Sequence, residues 1–209
     1  MQSRDLRGYA IEAALRILAL ATVSLFVHRA VVAFLHDPTR ITLLLAAISE
    51  GATFAMLLLS RSPTVRDWHP LSVFYTLAAS FLYPLFIVTD PGIHLIGERA
   101  GATVQAIGLL WAIYAKLSLG RSFGLLPAHR RVVVHGAYRW VRHPIYLGYF
   151  LTHMGFLLAN FGLQNLLVYA ILYAIQVFRI LREEEILAAQ ESYRQYCQRV
   201  RYRALIGIF

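Results

Sequence analysis

Long apolar runs separated by short polar knots set the pattern of this chain. A helix needs about 20 predominantly apolar residues to cross the hydrocarbon core of a bilayer. Six runs qualify, at about residues 10–35, 41–60, 71–89, 101–119, 144–160 and 163–182. The knots between them are HDPTR (36–40), RSPTVRDWHP (61–70), DPGIHLIGERAG (90–101) and ANFG (159–162). Pro38, Pro63, Pro70 and Pro91 lie in or beside these breaks, where helices end or start. The fifth run is short, and ANFG folds it back on the sixth as a tight hairpin; five spans is the alternative count. After Leu181 the rhythm changes to REEEILAAQESYRQYCQRVRYR, charged and amphipathic, which predicts a surface helix at the membrane boundary. The pattern as a whole predicts an all-α fold, a polytopic transmembrane helical bundle of about six spans with a C-terminal amphipathic helix. No internal repeat or low-complexity tract interrupts it.

Composition agrees. The chain is 58% hydrophobic and 15% charged, with mean hydropathy +0.57, whereas soluble domains are near half apolar and one quarter charged. Net charge is +9, and 19 of the 20 basic residues are arginine. A basic chain can bind nucleic acid, but here the cations sit in short loops between apolar runs, where anionic headgroups and the positive-inside rule account for them. Membrane lipids are therefore the expected partners, and nucleic acid is not. With six spans, Arg4 and Arg7, Arg61 and Arg66, Arg121 to Arg142, and the C-terminal arginines all fall on one side. That side is read as cytosolic, with both termini on it, and it places segments 120–143 and 183–203 where they can meet. The single cysteine, Cys197, excludes an internal disulfide. Glu12 and Arg16 interrupt the first apolar run, so no removable signal peptide is expected. The short loops suit a bacterial inner-membrane protein, no metal site is expected, and the sequence assigns no oligomeric state.

The segment from Leu119 to Gly148, LGRSFGLLPAHRRVVVHGAYRWVRHPIYLG, concentrates cations and rings between two apolar runs. Charged groups at that depth are costly and usually functional. Within GAYRWVRHPIYLG (136–148), Gly136 permits a tight bend and Pro144 suits the first turn of a helix. The free N–H groups of such a turn can bind an anion, with Arg142 and His143 beside them. Tyr138, Trp140 and Tyr146 offer faces for a purine or a cation. The plainer alternative is that these Trp, Tyr and Arg residues are interface anchors. Likewise Glu183, Glu184 and Glu185 are either a solvated helix face, or one of them enters the pocket to balance Arg142 or to accept from a ribose hydroxyl.

These motifs resemble the isoprenylcysteine carboxyl methyltransferase and phospholipid methyltransferase superfamily. Its pattern G-x-Y-x-x-x-R-H-P-x-Y-x-G is met at Gly136, Tyr138, Arg142, His143, Pro144, Tyr146 and Gly148. After a hairpin, E-E-x-x-L and Y-x-x-Y-x-x-R-V are met at Glu183, Glu184, Leu187, Tyr193, Tyr196, Arg199 and Val200. The resemblance implies a single integral membrane domain (1–209), with N-terminal spans (1–114) that carry no motif and a cofactor-binding half (115–203). It implies S-adenosyl-L-methionine as cofactor, held by Gly136, Tyr138, Arg142, His143, Pro144, Tyr146, Gly148 and an acid at Glu183 or Glu184. Many members place a histidine six residues before the motif glycine. Arg130 stands there and His129 beside it, and both are candidate contacts; Ala137 stands where proline is common. Arg142, His143, Tyr146 and Glu184 are the candidate catalytic residues. The implied acceptor is lipophilic, arriving from the bilayer, most simply an isoprenylcysteine-type carboxylate. Polar residues within the spans are candidates to line its path: Glu50 and His153 first, then His28, Gln105 and Lys116. The alternative is an NADPH-dependent sterol or steroid reductase, which carries a similar R-H-P-x-Y-x-G segment but usually has Asn where Ile145 stands.

Overall fold

The computed structural model describes residues 2–59, 82, 85, 86, 88, 93–119 and 132–209. Six α-helices account for most of them: α1 (Gln2–His36), α2 (Ile41–Leu59), α3 (Glu98–Leu119), α4 (Pro144–Ala159), α5 (Leu163–Leu187) and α6 (Glu191–Arg199). A 3₁₀ turn, Gly136–Arg139, precedes α4. Among the described residues there is no strand, only an isolated bridge between Ile93 and Phe161. The fold is all-helical, as expected. Three helices are long and apolar enough to cross a membrane, Ile17–His36, Glu98–Leu119 and Leu163–Leu187, and Ile41–Ala52 and Pro144–Ala159 are shorter apolar segments. These fall on the first, second, fourth, fifth and sixth expected runs. The third, 71–89, lies almost wholly outside the described residues.

Two boundaries differ from expectation. Helix α1 starts at Gln2 rather than near residue 10, because QSRDLRGYAIEAALR is rich in helix formers although too polar to count as a span. Helix α5 runs on to Leu187 and carries the acidic triplet within it. The amphipathic C-terminal stretch is thus not one helix. It breaks where Gln190 N–H donates to the Leu187 carbonyl (2.9 Å), then restarts at Glu191.

The most extensive packing is α3 against α4, and small residues set its closeness. A Cβ on Gly148 would lie 2.7 Å from the backbone nitrogen of Ala112, and one on Gly101 2.6 Å from the Ala159 methyl. Close backbone approach of this kind drives helix association where lipid tails are as apolar as the side chains. At the far end of this pair a polar clamp fixes α2. Thr42 donates through both its N–H and its hydroxyl to Glu98 Oε1 (2.6 Å each). Asn160 donates to Thr42 Oγ1 (2.9 Å) and accepts from Arg40 (2.9 Å). An apolar core of Phe26, Leu43, Phe86, Phe156, Tyr169 and Leu172 fills the space between.

Candidate functional site

The site is assembled at the N-terminal end of α4. Gly136 has φ of +62°, a left-handed conformation that side chains disfavour, and a Cβ there would lie 2.7 Å from that of Ser118. Ser118 Oγ accepts from Ala137 N–H (3.2 Å), which anchors the turn to α3. The turn buries Tyr138, and Tyr196 on α6 donates its hydroxyl to the Tyr138 carbonyl (2.6 Å). Beyond the turn the chain is pinned by its own C-terminal tail: Arg142 and His143 N–H groups donate to the carbonyls of Tyr202 (3.0 Å) and Arg203 (2.6 Å). Pro144 then opens α4. In the first turn, Tyr146 and Leu147 N–H turn back to the His143 carbonyl (3.1 and 3.4 Å).

Glu184 is the centre of the cluster, 8% exposed. Its Oε1 lies 3.2 Å from Arg142 Nη1 and 3.2 Å from His143 Nε2, and accepts from the Tyr193 hydroxyl at 3.3 Å. Its Oε2 accepts from Arg203 Nε at 2.7 Å. One carboxylate therefore joins α4's entry, α5, α6 and the tail. Arg142 is further held by Cys197 Sγ (3.1 Å) and the Arg201 carbonyl (3.2 Å), while its Nε is buried with no hydrogen-bond partner. Burial works against the Arg142 charge, but the bond to Cys197 and the field of Glu184 outweigh it and raise its pKa. Burial, with nearby acids adding to it, also lifts the phenols of Tyr138 and Tyr193 well above their usual range. They are neutral donors at physiological pH.

The acidic triplet is divided three ways. Glu185 is exposed and pairs with Arg182 (2.6 Å), a solvated face. Glu184 is enclosed. Glu183 is intermediate: its side chain is 37% exposed and Oε2 lies 4.0 Å from His143 Nδ1. Its charge acts on Tyr138, and the His143 ring meets that of Tyr146 edge-on at 5.9 Å. Glu183, His143, Tyr138 and Tyr146 are therefore near neighbours, and Glu183 is the more exposed of the two acids beside His143. Gly148 contributes by close packing against α3, as described. His129 and Arg130 lie outside the described residues.

Glu50 and His153 are brought together, with Glu50 Oε1 3.8 Å from His153 Nε2. They lie elsewhere: His153 is nine residues beyond Pro144, about 13 Å along α4 at 1.5 Å per residue. Lys116 sits over the Tyr149 ring at 5.1 Å, and His28 is exposed on α1. Arg203 and Cys197 are partners that sequence reasoning missed; the only signal was the RVRYR cluster itself. On another face of α4 an apolar groove of about 410 Å³ is lined by Ile107, Leu110, Trp111, Tyr114, Leu147 and Leu151. Trp111 ties it to the site by donating to the Pro144 carbonyl (3.0 Å).

Residues 102–189 match the isoprenylcysteine carboxyl methyltransferase (ICMT) family, a span that holds the whole 136–148 motif together with Glu183 and Glu184. The protein-S-isoprenylcysteine O-methyltransferase of Schizosaccharomyces pombe is 31% identical over 132 residues, 58% of this chain and 50% of that protein. The chain thus spans about half the length of this curated relative. No solved structure matches the chain.

Proposed function

We propose that this chain, whose residues 102–189 match the ICMT family, is an integral membrane methyltransferase. It uses S-adenosyl-L-methionine and acts on a lipophilic acceptor, an isoprenylcysteine-type carboxylate. The observation that carries this reading is the arrangement around Glu184: a carboxylate that locks the family motif, leaving Glu183, the rings and one Arg142 N–H to face a ligand.

The residues present fit the cofactor. Its carboxylate suits the buried Arg142 Nε–H, which has no partner in the protein. Its ammonium or ribose hydroxyls suit Glu183. Its adenine and sulfonium suit the ring faces of His143, Tyr138 and Tyr146. His129 and Arg130 belong to the same proposal. When bound, the cofactor supplies a methyl group activated by the positive sulfur. Glu184 is a positioning residue, holding Arg142 and His143 rather than touching the reacting atoms.

A carboxylate acceptor needs no general base. With such an acceptor the bound cofactor would supply the methyl group, and no residue of the chain would have to take up or give a proton. The chain must align donor and acceptor, an effect worth up to roughly 7–11 kcal/mol, and exclude water. The rigid α3–α4 pair provides the alignment, and the groove at Trp111 offers an apolar chain a place against α4. Charge asymmetry of the loops supports a cofactor site at the cytosolic boundary.

The test is thermal stabilisation of the detergent-purified protein by S-adenosylhomocysteine and, separately, by NADPH. Ligand at about 100 times its dissociation constant adds about 2.7 kcal/mol to the folded state. A shift with S-adenosylhomocysteine, lost in Arg142→Ala and weakened in Glu183→Gln, is expected. A shift with NADPH alone overturns the reading.

A further inference from the structure

The chain beyond α6 closes the cluster at Glu184 and then folds into a turn of its own. Ala204 and Leu205 N–H donate to the Phe209 carbonyl (2.9 and 3.0 Å), and Ile208 and Phe209 N–H donate to the Leu205 carbonyl (3.1 and 2.9 Å). Gly207 makes the reversal at φ +87°, a conformation that side chains disfavour. Arg203 joins the turn to the cluster. Its guanidinium lies over the Phe209 ring at 5.1 Å, while its Nε donates to Glu184.

This hydrogen-bonded turn displays apolar surface. Ile206 is 62% exposed and Ile208 83%, and a Cβ built on Gly207 between them meets nothing within 4 Å. The depth of the turn says what covers it. The tail is bonded to Arg142 and His143, the two residues before the apolar helix Pro144–Ala159, and to Glu184, in the last turn of the membrane-length helix Leu163–Leu187. Both anchors stand where helices leave hydrocarbon for headgroups, so the isoleucines meet the membrane boundary. Charge at this corner is one-sided. Arg139 lies over the Trp140 ring (4.9 Å) and Arg201 over the Tyr202 ring (5.9 Å), and both arginines are exposed. Exposed acids of α5 and α6 are matched on their own helices, Glu185 by Arg182 and Glu191 by Arg194.

We propose that the turn Leu205–Phe209 is a lipid-engaged strap. Ile206 and Ile208 enter the headgroup–acyl boundary, Arg139 and Arg201 take the headgroups of anionic phospholipids, and this contact holds the Tyr202 and Arg203 carbonyls on the Arg142 and His143 amides. Aromatic rings beside basic residues are interfacial anchors. An apolar tip enters any phospholipid interface, and the arginines add the preference for negative charge, each corresponding to about fivefold in partition near an anionic surface. The inference depends on the helices spanning a bilayer and not on the reaction proposed above. It makes the corner at Glu184 sensitive to the lipid around it.

The experiment is hydrogen–deuterium exchange of the full chain in nanodiscs of phosphatidylcholine, alone or in equal mixture with phosphatidylglycerol, read on peptides covering 137–147 and 201–209. Exchange of both should be at least about fivefold slower in the anionic discs. Arg139→Gln combined with Arg201→Gln should remove the dependence on lipid, and Ile206→Ser combined with Ile208→Ser should speed exchange of both peptides in either lipid. Equal exchange of the wild type in the two lipids overturns the proposal, as does a full lipid effect kept by the arginine double variant or unchanged protection in the isoleucine double variant. A further arm adds soluble glycerol phosphate to the phosphatidylcholine discs. Protection there equal to that in the anionic discs shows binding of a free anion and also overturns the lipid strap. Peptides from α3 and α4 report the state of the bundle in every sample. A double variant that loses their protection has misfolded, and the wild-type comparison between lipids then decides alone.

Discussion

Removing the Glu184 carboxylate while leaving its neighbour Glu183 alone separates the frame of the site from its ligand-facing surface. Glu184→Ala leaves Arg142 and Arg203 without their counter-charge and His143 and Tyr193 without their acceptor. Breaking a fully buried ion pair from one side costs about 3–5 kcal/mol. Arg203 keeps 35% of its side chain exposed, so water takes up part of its load, and about 2–4 kcal/mol is the better figure for this site. For a chain of this size each kcal/mol moves the melting temperature by roughly 2–4 °C, so Glu184→Ala should melt roughly 5–15 °C below the wild type. Glu184→Gln, which still accepts from Tyr193, should fall between. Glu183→Gln, on a half-exposed side chain with no close partner, should stay within about 0.5 kcal/mol of the wild type yet bind S-adenosylhomocysteine more weakly. The assay is the tryptophan-fluorescence melt of detergent-purified protein, with and without that ligand. If Glu184→Ala melts with the wild type, or Glu183→Gln is as unstable as Glu184→Ala, the division of labour between the two acids is wrong.

Gly148→Ala must push its new methyl into the backbone of Ala112; overpacking of this kind costs about 1–3 kcal/mol, and a denaturant titration should show the loss while Gly162→Ala, where nothing lies within 4 Å, shows little. Asn160→Leu takes from Arg40 an acceptor and from Thr42 a donor in a residue 1% exposed; stability should drop by about 2–4 kcal/mol, and a melting temperature equal to wild type would refute the clamp. The raised phenols of Tyr138, Tyr193 and Tyr196 predict alkaline sensitivity. Below pH 10 folded and unfolded states hold the same protons, and above it the unfolded chain releases them first, so stability should fall there and more gently in Tyr196→Phe; a flat profile from pH 9 to about 11 would count against it.

Much of the bundle was legible because the bilayer imposes a length on apolar runs, and α2, α3 and α4 begin and end close to where those runs do. Helix ends set by other forces were not. The start of α1 answers to backbone propensity, and α5 passes through the acidic triplet because Glu184 finds its partners in tertiary structure. Residues 183, 184 and 185 project about 100° apart around a helix, so their order alone could not say which would be enclosed. The meeting of the 136–148 motif with α5 and α6 was anticipated from loop charge. The tail was not, since Arg203 lies nineteen positions from Glu184 and RVRYR reads equally as a headgroup anchor. Glu50 and His153 each stood out as polar residues in apolar runs, but a pairing across 103 positions leaves no mark in a single sequence.

The tail that closes the cluster also fixes an order in time. Arg203 is synthesised after α4 and α5 are complete, and until it emerges Glu184 has no partner for one oxygen and the Arg142 and His143 amides have no Tyr202 or Arg203 carbonyl to meet. A nascent chain therefore inserts its spans with this corner open. The corner closes only after translation has passed residue 203, so the cluster around Glu184 is completed last, once the helices that carry it have been made.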